Sequence, residues 1–204
     1  MVARPPWEIV EASFVASARE GASLPPASAP EVAFAGRSNV GKSSLMNALM
    51  GRRKLVRTSS TPGCTRAVSI FEARARDGLT LSLIDLPGYG YAQRSKTERL
   101  AWGKLVESYL SGRDALKTVV LLVDARRGLA EEERQLAAFI AAKRGTDVKT
   151  ILVLTKIDRI PKSKRRAALD KLRAGRRRVL AVSATTGEGI DDLWAALRRT
   201  LPEG

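Results

Sequence analysis

In EVAFAGRSNVGKSSLMNALM, residues 31–50, an apolar run is followed by a glycine-containing loop and then by a helical pattern. Within it, Gly36, Gly41, Lys42 and Ser43 match the pattern GxxxxGKS/T at its full spacing. In this pattern backbone N–H groups surround phosphates at a helix N-terminus, the lysine reaches the β- and γ-phosphate oxygens, and the hydroxyl binds magnesium. The stretch therefore predicts a P-loop nucleotide-binding fold.

Short apolar runs alternate with helical patterns along the rest of the chain. Six runs are predicted as strands, at residues 31–35, 67–73, 79–85, 117–124, 148–155 and 179–184. This alternation predicts an α/β three-layer sandwich around a six-stranded, mostly parallel sheet. The RDG turn at residues 76–78 predicts a hairpin between the second and third strands, which gives the sheet one antiparallel strand. A helical pattern at residues 129–145 places Leu136 and Ile140 on one face and acids in its first turn.

The domain organisation follows from a change in composition near residue 30. Residues 1–30 are rich in Pro, Ala and Ser, and they are predicted to form an N-terminal extension that lies over the domain through Trp7, Ile9 and Phe14. Residues 31–204 are predicted to form a single nucleotide-binding domain, a length that suffices to bury a hydrophobic core.

The charge balance points to a polyanionic partner. The chain has 36 Lys and Arg residues against 21 Asp and Glu residues, a formal net charge of +15. Such an excess favours nucleic acid or an anionic membrane surface as a partner, and the alternative is a generally basic proteome. The chain has no histidine, which excludes histidine-based catalysis and metal binding.

The expected location is the cytoplasm. A single cysteine, Cys64, excludes an internal disulfide and suits a reducing compartment. No apolar run approaches the roughly 20 residues of a membrane span. The N-terminal residues also lack the apolar segment of a secretory signal.

A second motif follows the third predicted strand, where Asp85, Leu86, Pro87 and Gly88 form a DxxG sequence. An isolated DxxG carries little information, because an acid at a strand end is commonly part of a solvated turn. At a strand end about 40 residues after a P-loop, it predicts a carboxylate on the magnesium side and a Gly88 N–H that senses the γ-phosphate. The next residue is Tyr89, where many such enzymes have a glutamine that orients the attacking water.

The segment between these motifs, residues 52–70, has five Lys and Arg residues and no acid. It is interpreted as a switch segment, in which a threonine joins the magnesium ligands and is released after hydrolysis. The alternative is a basic surface loop. Thr58, Thr61 and Thr65 all compete for the role of this threonine, and their spacing does not choose between them.

Two further motifs predict that the base is guanine. In the sequence TKID, residues 155–158, Asp158 can accept hydrogen bonds from guanine N1–H and the exocyclic amine, whereas adenine has no matching pair of donors. The stem of Lys156 can cover the purine face, and the backbone of Ser183 and Ala184 can contact guanine O6. Standing alone, Asp158 would equally well be a helix cap. Together with the P-loop and DxxG in this order, these motifs predict guanine nucleotide binding.

With these motifs in place, the chain resembles the EngB (YihA/YsxC) family of bacterial GTPases, of the TrmE-Era-EngA-EngB-Septin-like class. The resemblance covers about residues 12–200 and is carried by EVAFAGRSNVGKSSLMNAL, RTSSTPGCT, DLPGYGYA, WGKLVESYL, TKID and SATTGEGIDDLW. It implies a magnesium-dependent, slow GTPase that acts as a switch in assembly of the large ribosomal subunit and has a role in cell division and septation. It also implies a monomer with no stable membrane insertion.

The resemblance also implies roles for individual residues. Lys42, Asn39, Thr65 and Gly88 are expected to act in catalysis, with Thr65 rather than Thr61 as the switch threonine. Magnesium is expected at Ser43 and Thr65, with Asp85 contacting the ligands of the metal. The full set expected around the nucleotide is Gly36, Arg37, Ser38, Asn39, Val40, Gly41, Lys42, Ser43, Gly63, Cys64, Thr65, Arg66, Ala67, Asp85, Leu86, Pro87, Gly88, Thr155, Lys156, Ile157, Asp158, Val182, Ser183 and Ala184.

Two positions depart from the family pattern. Cys64 stands where relatives often have a basic residue. Thr155 replaces the commoner asparagine of the base motif, a change expected to loosen its tether to the P-loop.

The orientation of the attacking water is open, since Tyr89 has no amide. Related GTPases with an apolar or aromatic residue at this position use a potassium ion, held partly by a P-loop asparagine, and this chain has Asn39 three residues before Lys42. The alternative is that Asn39 only stabilises the loop and a ribosomal group completes the site.

At the level of function, the alternative is a slowly hydrolysing binding module in septation or at the membrane. A P-loop nucleotide kinase is disfavoured, because TKxD and SA have no role there.

A second basic concentration lies at residues 156–179, with eleven Lys and Arg residues against two Asp residues. Pro161 is predicted to open a helix whose buried edge includes Leu169 and Leu172. The residues expected on its outer face are Lys162, Lys164, Arg165, Arg166, Lys171 and Arg173. Together with the basic residues Arg52, Arg53, Lys54 and Arg57, this face is predicted to contact rRNA phosphates, and the alternative is a solvated charged face.

Overall fold

The computed structural model describes residues 5–19, 24–56, 67–89, 96–173 and 179–202. The strands are β1 (Ile9–Ala18), β2 (Glu31–Gly36), β3 (Val68–Ala75), β4 (Thr80–Asp85), β5 (Leu116–Asp124), β6 (Lys149–Thr155) and β7 (Val179–Ala181). The helices are α1 (Lys42–Leu49), α2 (Lys96–Gly112), α3 (Glu131–Arg144), α4 (Lys162–Arg173) and α5 (Ile190–Arg198), and a short 3₁₀ turn spans Ile157–Arg159.

The strands form one sheet in the order β1-β3-β4-β2-β5-β6-β7. Strands β4, β2, β5, β6 and β7 are parallel, whereas β3 runs antiparallel to both of its neighbours. The predicted α/β class, the mostly parallel sheet and the reversed strand are confirmed. The hairpin between β3 and β4 is also as predicted, with the Ala75 N–H donating to the Leu79 carbonyl at 2.8 Å.

The predicted number of strands is wrong, because the sheet has seven strands and not six. The additional strand is β1, which lies within the stretch expected to be an extension and pairs with β3 at the sheet edge. Its pairing shifts between Ile9 and Glu11 and again between Phe14 and Ala16. Each bulge moves the following side chains to the other face, so the alternating pattern that identifies a strand is interrupted. The domain boundary at residue 30 stays a prediction.

Helices cover both faces of the sheet, as the buried strands require. On one face, α1 and α5 pack through Leu45, Met46 and Leu193. On the other face, α2 and α3 contribute Tyr109 and Ile140, among other buried residues. Successive side chains of β2 alternate between these two cores, and all six of its residues are buried. No helix within the described ranges is long and apolar enough to cross a membrane.

The turn before α5 depends on a glycine. Gly189 has φ +74° at the N-terminus of α5, and a Cβ there would overlap the carbonyl oxygen of Ala181, the last residue of β7. Gly187 has a similar φ of +79°, but a Cβ at this position would meet no atom within 4 Å. The two glycines therefore share a left-handed backbone and differ in the space around them.

This difference predicts unequal effects of two alanine substitutions. Gly187→Ala should lower the free energy of unfolding by about 1 kcal/mol, the cost of a left-handed conformation for a residue with a Cβ. Gly189→Ala should lower it by about 3 kcal/mol or more, because the backbone must also move away from Ala181. Urea unfolding of both variants measures the difference, and equal losses would contradict the steric argument.

Candidate nucleotide-binding site

The P-loop connects β2 to α1, and its backbone has the geometry of an anion-binding loop. Asn39 and Gly41 have positive φ values of 63° and 103°, and α1 begins directly after Gly41 without a side-chain cap. No described residue accepts a hydrogen bond from the amides of Gly41, Lys42 and Ser43. The first turn of α1 contains no acid. The N-terminus of this helix therefore presents N–H donors and the positive end of the helix dipole.

Two glycines allow the P-loop to pack closely against its surroundings. A Cβ at Gly36 would lie 2.9 Å from Val40 Cγ1, within the loop itself. A Cβ at Gly88 would lie 3.1 Å from the Ser38 nitrogen, so the DxxG segment lies directly against the P-loop. The Ser38 N–H also donates to the Tyr89 carbonyl at 2.9 Å. The P-loop and the DxxG motif are thus one packed unit.

Lys42 and Asp85 form a buried ion pair, in which the ammonium group donates to Asp85 Oδ1. Lys42 opens α1 and Asp85 ends β4, and their exposed fractions are 7% and 4%. A buried charge that loses its partner is costly, so neither group can leave the pair without a replacement. A phosphate group bound together with a cation would supply a new partner to each.

The side chain of Tyr89 is engaged with α2 and α3, so its hydroxyl is not available to orient water. Its hydroxyl donates to Glu133 Oε1 on α3 at 3.1 Å, and its ring packs edge-on against Trp102 on α2 at 5.6 Å. The indole N–H of Trp102 donates to the Pro87 carbonyl at 2.7 Å. Burial, and next the neighbouring Glu133, raise the pKa of Tyr89 far above its usual value, so the phenol remains a donor. In this structure Tyr89 anchors the DxxG motif to α2 and α3.

The base motif is tied to the other side of the P-loop. The Thr155 hydroxyl donates to the Val40 carbonyl at 2.6 Å, and Lys156 Nζ donates to the Asn39 carbonyl at 2.5 Å. Thr155 thus forms a direct bond to the P-loop, although the replacement of asparagine was expected to loosen this tether. Lys156 has a left-handed backbone with φ 58°.

The SA segment is joined to the base motif by the backbone. The Ile157 N–H donates to the Val182 carbonyl at 3.3 Å, and the Ser183 hydroxyl accepts from the Thr186 N–H at 3.1 Å. Strand β7 ends at Ala181, earlier than the predicted residue 184, and the chain then turns. A cavity of about 120 Å³ lies between the two segments, and Asp158 contributes to its lining.

The cavity includes most of the base-reading residues that were predicted from the sequence. Gly41, Thr155, Lys156, Val182 and Ala184 line it together with Asp158. The cavity is also lined by residues that were not predicted, which are Ser44, Leu45, Arg159 and Thr185. Each lies within two residues of a predicted residue, which was the signal available for them.

The expected site residues of the first switch lie outside the described residues. These are Gly63, Cys64, Thr65 and Arg66, together with the competing Thr58 and Thr61. Ala67 is described, and it is a partly buried residue immediately before β3. The remaining expected residues belong to the P-loop, the DxxG motif and the two base segments, which meet at the carboxyl ends of β2, β4, β6 and β7.

Two acidic residues that contact residues of the site, Glu133 and Asp124, were not recognised from the sequence. Glu133 was interpreted only as a first-turn acid of α3, but it is 4% exposed and lies three and seven residues before the buried Leu136 and Ile140. This helical spacing was the available signal. Asp124 is the last residue of β5, just as Asp85 is the last residue of β4. The position of Asp124 at the carboxyl end of a parallel strand was the signal that could have identified it as a site residue.

The fold and this arrangement of loops define a P-loop GTPase, and a comparison with known families agrees. A family model described as 50S ribosome-binding GTPase matches residues 31–156. A probable GTP-binding protein EngB of Trichlorobacter lovleyi is 41% identical over 199 residues, which cover 96% of this chain and 98% of that protein. The chain belongs to the EngB family of GTP-binding proteins, as the sequence motifs predicted.

Solved structures share the fold. The crystal structure of a probable GTP-binding protein EngB matches with a TM-score of 0.64 and 25% identity, covering 83% of this chain and 97% of that chain. Era, solved in complex with MgGDPNP and nucleotides 1506–1542 of 16S ribosomal RNA, matches with a TM-score of 0.72 and 25% identity. That match covers 86% of this chain and 58% of Era.

Proposed function

We propose that this GTPase binds magnesium–GTP at the edge formed by the P-loop and the two base segments, and that it acts as a switch in assembly of the large ribosomal subunit. The observation that carries the nucleotide site is the pair of hydrogen bonds from Thr155 and Lys156 to the P-loop carbonyls. They bring the cavity lined by Asp158 close to the N-terminus of α1 and its N–H donors. The ribosomal part is supported by the description of the matching family model and by the basic face of α4.

Within this proposal, the P-loop holds the phosphates. The amides around Gly41 and the ammonium of Lys42 bind phosphate oxygens, while Gly88 senses the γ-phosphate through its N–H. The Ser43 hydroxyl is an oxygen donor of the kind that Mg²⁺ prefers, and the family resemblance adds Thr65. The Asp85 carboxylate would contact the ligands of the metal. Bound Mg²⁺ would neutralise the charge that develops on the phosphates during transfer.

The base segments select guanine. Asp158 accepts from guanine N1–H and the exocyclic amine, and Lys156 covers one face of the base. The backbone at Ser183 and Ala184 contacts O6. Two hydrogen bonds to one carboxylate make this recognition sensitive to a single substitution.

The orientation of the attacking water has two proposed solutions. Because Glu133 and Trp102 hold Tyr89 in place, a potassium ion near Asn39 or a group of the ribosome would complete the site. Asn39 is suited to the first solution, since its positive φ places it at the turn of the P-loop. Either one would supply positive charge beside the phosphates, which is a large effect in GTPases.

The proposed contact surface for ribosomal RNA lies on α4. Lys162, Lys164 and Arg166 are exposed there, as predicted. Arg165 was also expected on the outer face, but its guanidinium bonds to Glu188 at 2.8 Å and to the Ile160 carbonyl at 2.9 Å. Its side chain is only 18% exposed because it connects α4 to the turn before α5. The side chains of Lys171 and Arg173 lie outside those described.

Guanine recognition predicts a change of base preference in Asp158→Asn. The carboxamide would face the exocyclic amine of guanine with its own N–H₂ group, whereas it would suit the carbonyl of xanthine. GDP affinity should fall about 100-fold, the size of two weakened charge-assisted hydrogen bonds, and XDP affinity should rise. Calorimetric titration measures both, with the exposed Asp192→Asn as control. Unchanged GDP affinity would remove Asp158 from the base site.

The potassium proposal predicts a cation effect on the isolated protein. Hydrolysis should be slow in sodium and at least about tenfold faster in potassium at equal ionic strength. Asn39→Ala should erase this difference, so that the two salts give equal rates. Equal rates in both salts would exclude the potassium ion and leave a ribosomal group to complete the site.

The ribosomal proposal predicts a salt-sensitive interaction through α4. Charge reversal of Lys162, Lys164 and Arg166 to Glu should reduce co-sedimentation with the large subunit by about tenfold or more, because three phosphate contacts are replaced by repulsion. GTP affinity should be retained. The control reverses three exposed lysines elsewhere, which are Lys104, Lys143 and Lys149, so that the net charge changes equally.

Two outcomes of this experiment contradict the proposal. If both triple variants lose binding equally, only the net charge acts. If the wild-type protein fails to sediment with ribosomal subunits and is enriched at the septum, the septation role implied by the family resemblance becomes the main function.

The cytoplasmic location and the monomeric state stay predictions, and gel filtration tests the monomeric state.

A further inference from the structure

Asp124 is a buried carboxylate at the carboxyl end of β5, beside the base motif. It is 7% exposed, and the sheet register pairs it with Thr155 on β6. Its carboxylate accepts hydrogen bonds from the Arg126 backbone N–H at 3.0 Å, from Arg126 Nε at 2.9 Å and from Arg126 Nη2 at 2.7 Å. The remaining contact is with Lys156 Nζ at 3.0 Å. One carboxylate thus joins a surface arginine to the lysine of the base motif.

Lys156 is held at both its backbone and its ammonium group. Its Nζ bonds to the Asn39 carbonyl as well as to Asp124, so the ammonium lies between the P-loop and β5. Among the described residues, Asn39 and Lys156 are the two non-glycine residues with positive φ. Such conformations are unfavourable for a residue with a Cβ and persist only where the surroundings hold them. Here the hydrogen bond between Lys156 and Asn39 connects the two.

The electrostatic surroundings keep Asp124 charged. Burial by itself raises the pKa of Asp124, but the hydrogen bonds from Arg126 and Lys156 outweigh it and hold the pKa well below its usual range. The carboxylate is therefore an anion at any physiological pH. A lysine ammonium placed against an anion and a carbonyl has a fixed direction, which a solvated lysine lacks.

We propose that Asp124 is a positioning residue for guanine binding, which acts by fixing the ammonium of Lys156 so that its stem lines the base cavity. The inference rests on the proposed assignment of Lys156 and Asp158 to the base site. Gly41 supports the geometry, because a Cβ there would lie 3.6 Å from Lys156 Cε, which places the lysine stem against the P-loop. Lys156 and Asp158 line the same cavity.

A purely structural role would have a different signature. Arg126 alone makes three hydrogen bonds to Asp124, so the carboxylate has partners without Lys156. The side chains of Arg126 and Lys156 are 44% and 22% exposed, so water can solvate both cations when Asp124 loses its charge. The effect of Asp124 is therefore expected in nucleotide affinity, and it should disappear when Lys156 cannot respond.

A double-mutant cycle between Asp124→Asn and Lys156→Met tests this dependence. Asp124→Asn keeps the shape of the side chain and removes its charge, and it should weaken GDP binding about tenfold, the size of one charge-assisted hydrogen bond. Lys156→Met should weaken binding at least as much. In the double variant Asp124→Asn should add no further loss, because its effect passes through Lys156. The exposed Asp147→Asn is the matched control and should bind GDP as the wild type does.

A second readout separates positioning from base reading. IDP lacks the exocyclic amine of guanine, so the ratio of GDP to IDP affinity reports on Asp158. Asp124→Asn should weaken both nucleotides by the same factor, since Lys156 covers the face of the base. In turnover, KM for GTP should rise while kcat at saturating GTP is retained. Should Asp124→Asn fail to fold in a thermal melt, the smaller Asp124→Ser takes its place in the cycle.

The outcomes distinguish this inference from the proposed site. If Lys156→Met binds GDP as tightly as the wild type, the assignment of the base site is wrong. If Lys156→Met weakens binding but Asp124→Asn changes it less than about twofold, the base site stands and the positioning role is overturned. Losses that simply add in the double variant would likewise overturn it, because Asp124 would then act independently of Lys156.

Discussion

Hydrogen bonds attach the P-loop on both of its sides, and they set where the other residues of the site lie. On one side the Ser38 N–H bonds to the Tyr89 carbonyl, and on the other Thr155 and Lys156 bond to the carbonyls of Val40 and Asn39. These bonds fix the backbone without using the amides at the start of α1. The loop is therefore held by hydrogen bonds on both sides while these amides stay available for the proposed phosphate contacts, an arrangement that matches the preorganisation used in electrostatic catalysis.

The same attachments connect the loop to distant parts of the chain through charged or polar side chains. Tyr89 extends the connection to Glu133 on α3, and Lys156 extends it to Asp124 on β5. The ion pair between Lys42 and Asp85 joins the start of α1 to the end of β4, the strand beside β2 in the sheet. Binding of phosphate and a cation would replace this ion pair, and the DxxG motif that carries Asp85 is the element placed to respond.

Sequence patterns failed where a contact depends on elements far apart in the chain or on an irregular strand. Strand β1 was missed because two bulges interrupt its alternation. Glu133 was interpreted only as a first-turn acid of α3, because its partner Tyr89 lies 44 residues away. Arg165 was assigned to the outer face of α4 because periodicity does not reveal that Glu188 approaches it.

The order and type of the motifs could be predicted from the sequence, because the P-loop, DxxG, TKxD and SA patterns are local and each requires a strand end. These patterns predicted the fold class and the guanine nucleotide, and the resemblance carried by longer stretches such as DLPGYGYA predicted the family. Which side chains meet at those strand ends became known from the three-dimensional structure. Asp124 touches Lys156 because β5 and β6 pair in parallel with Asp124 opposite Thr155, and register between strands is set by packing of the whole sheet.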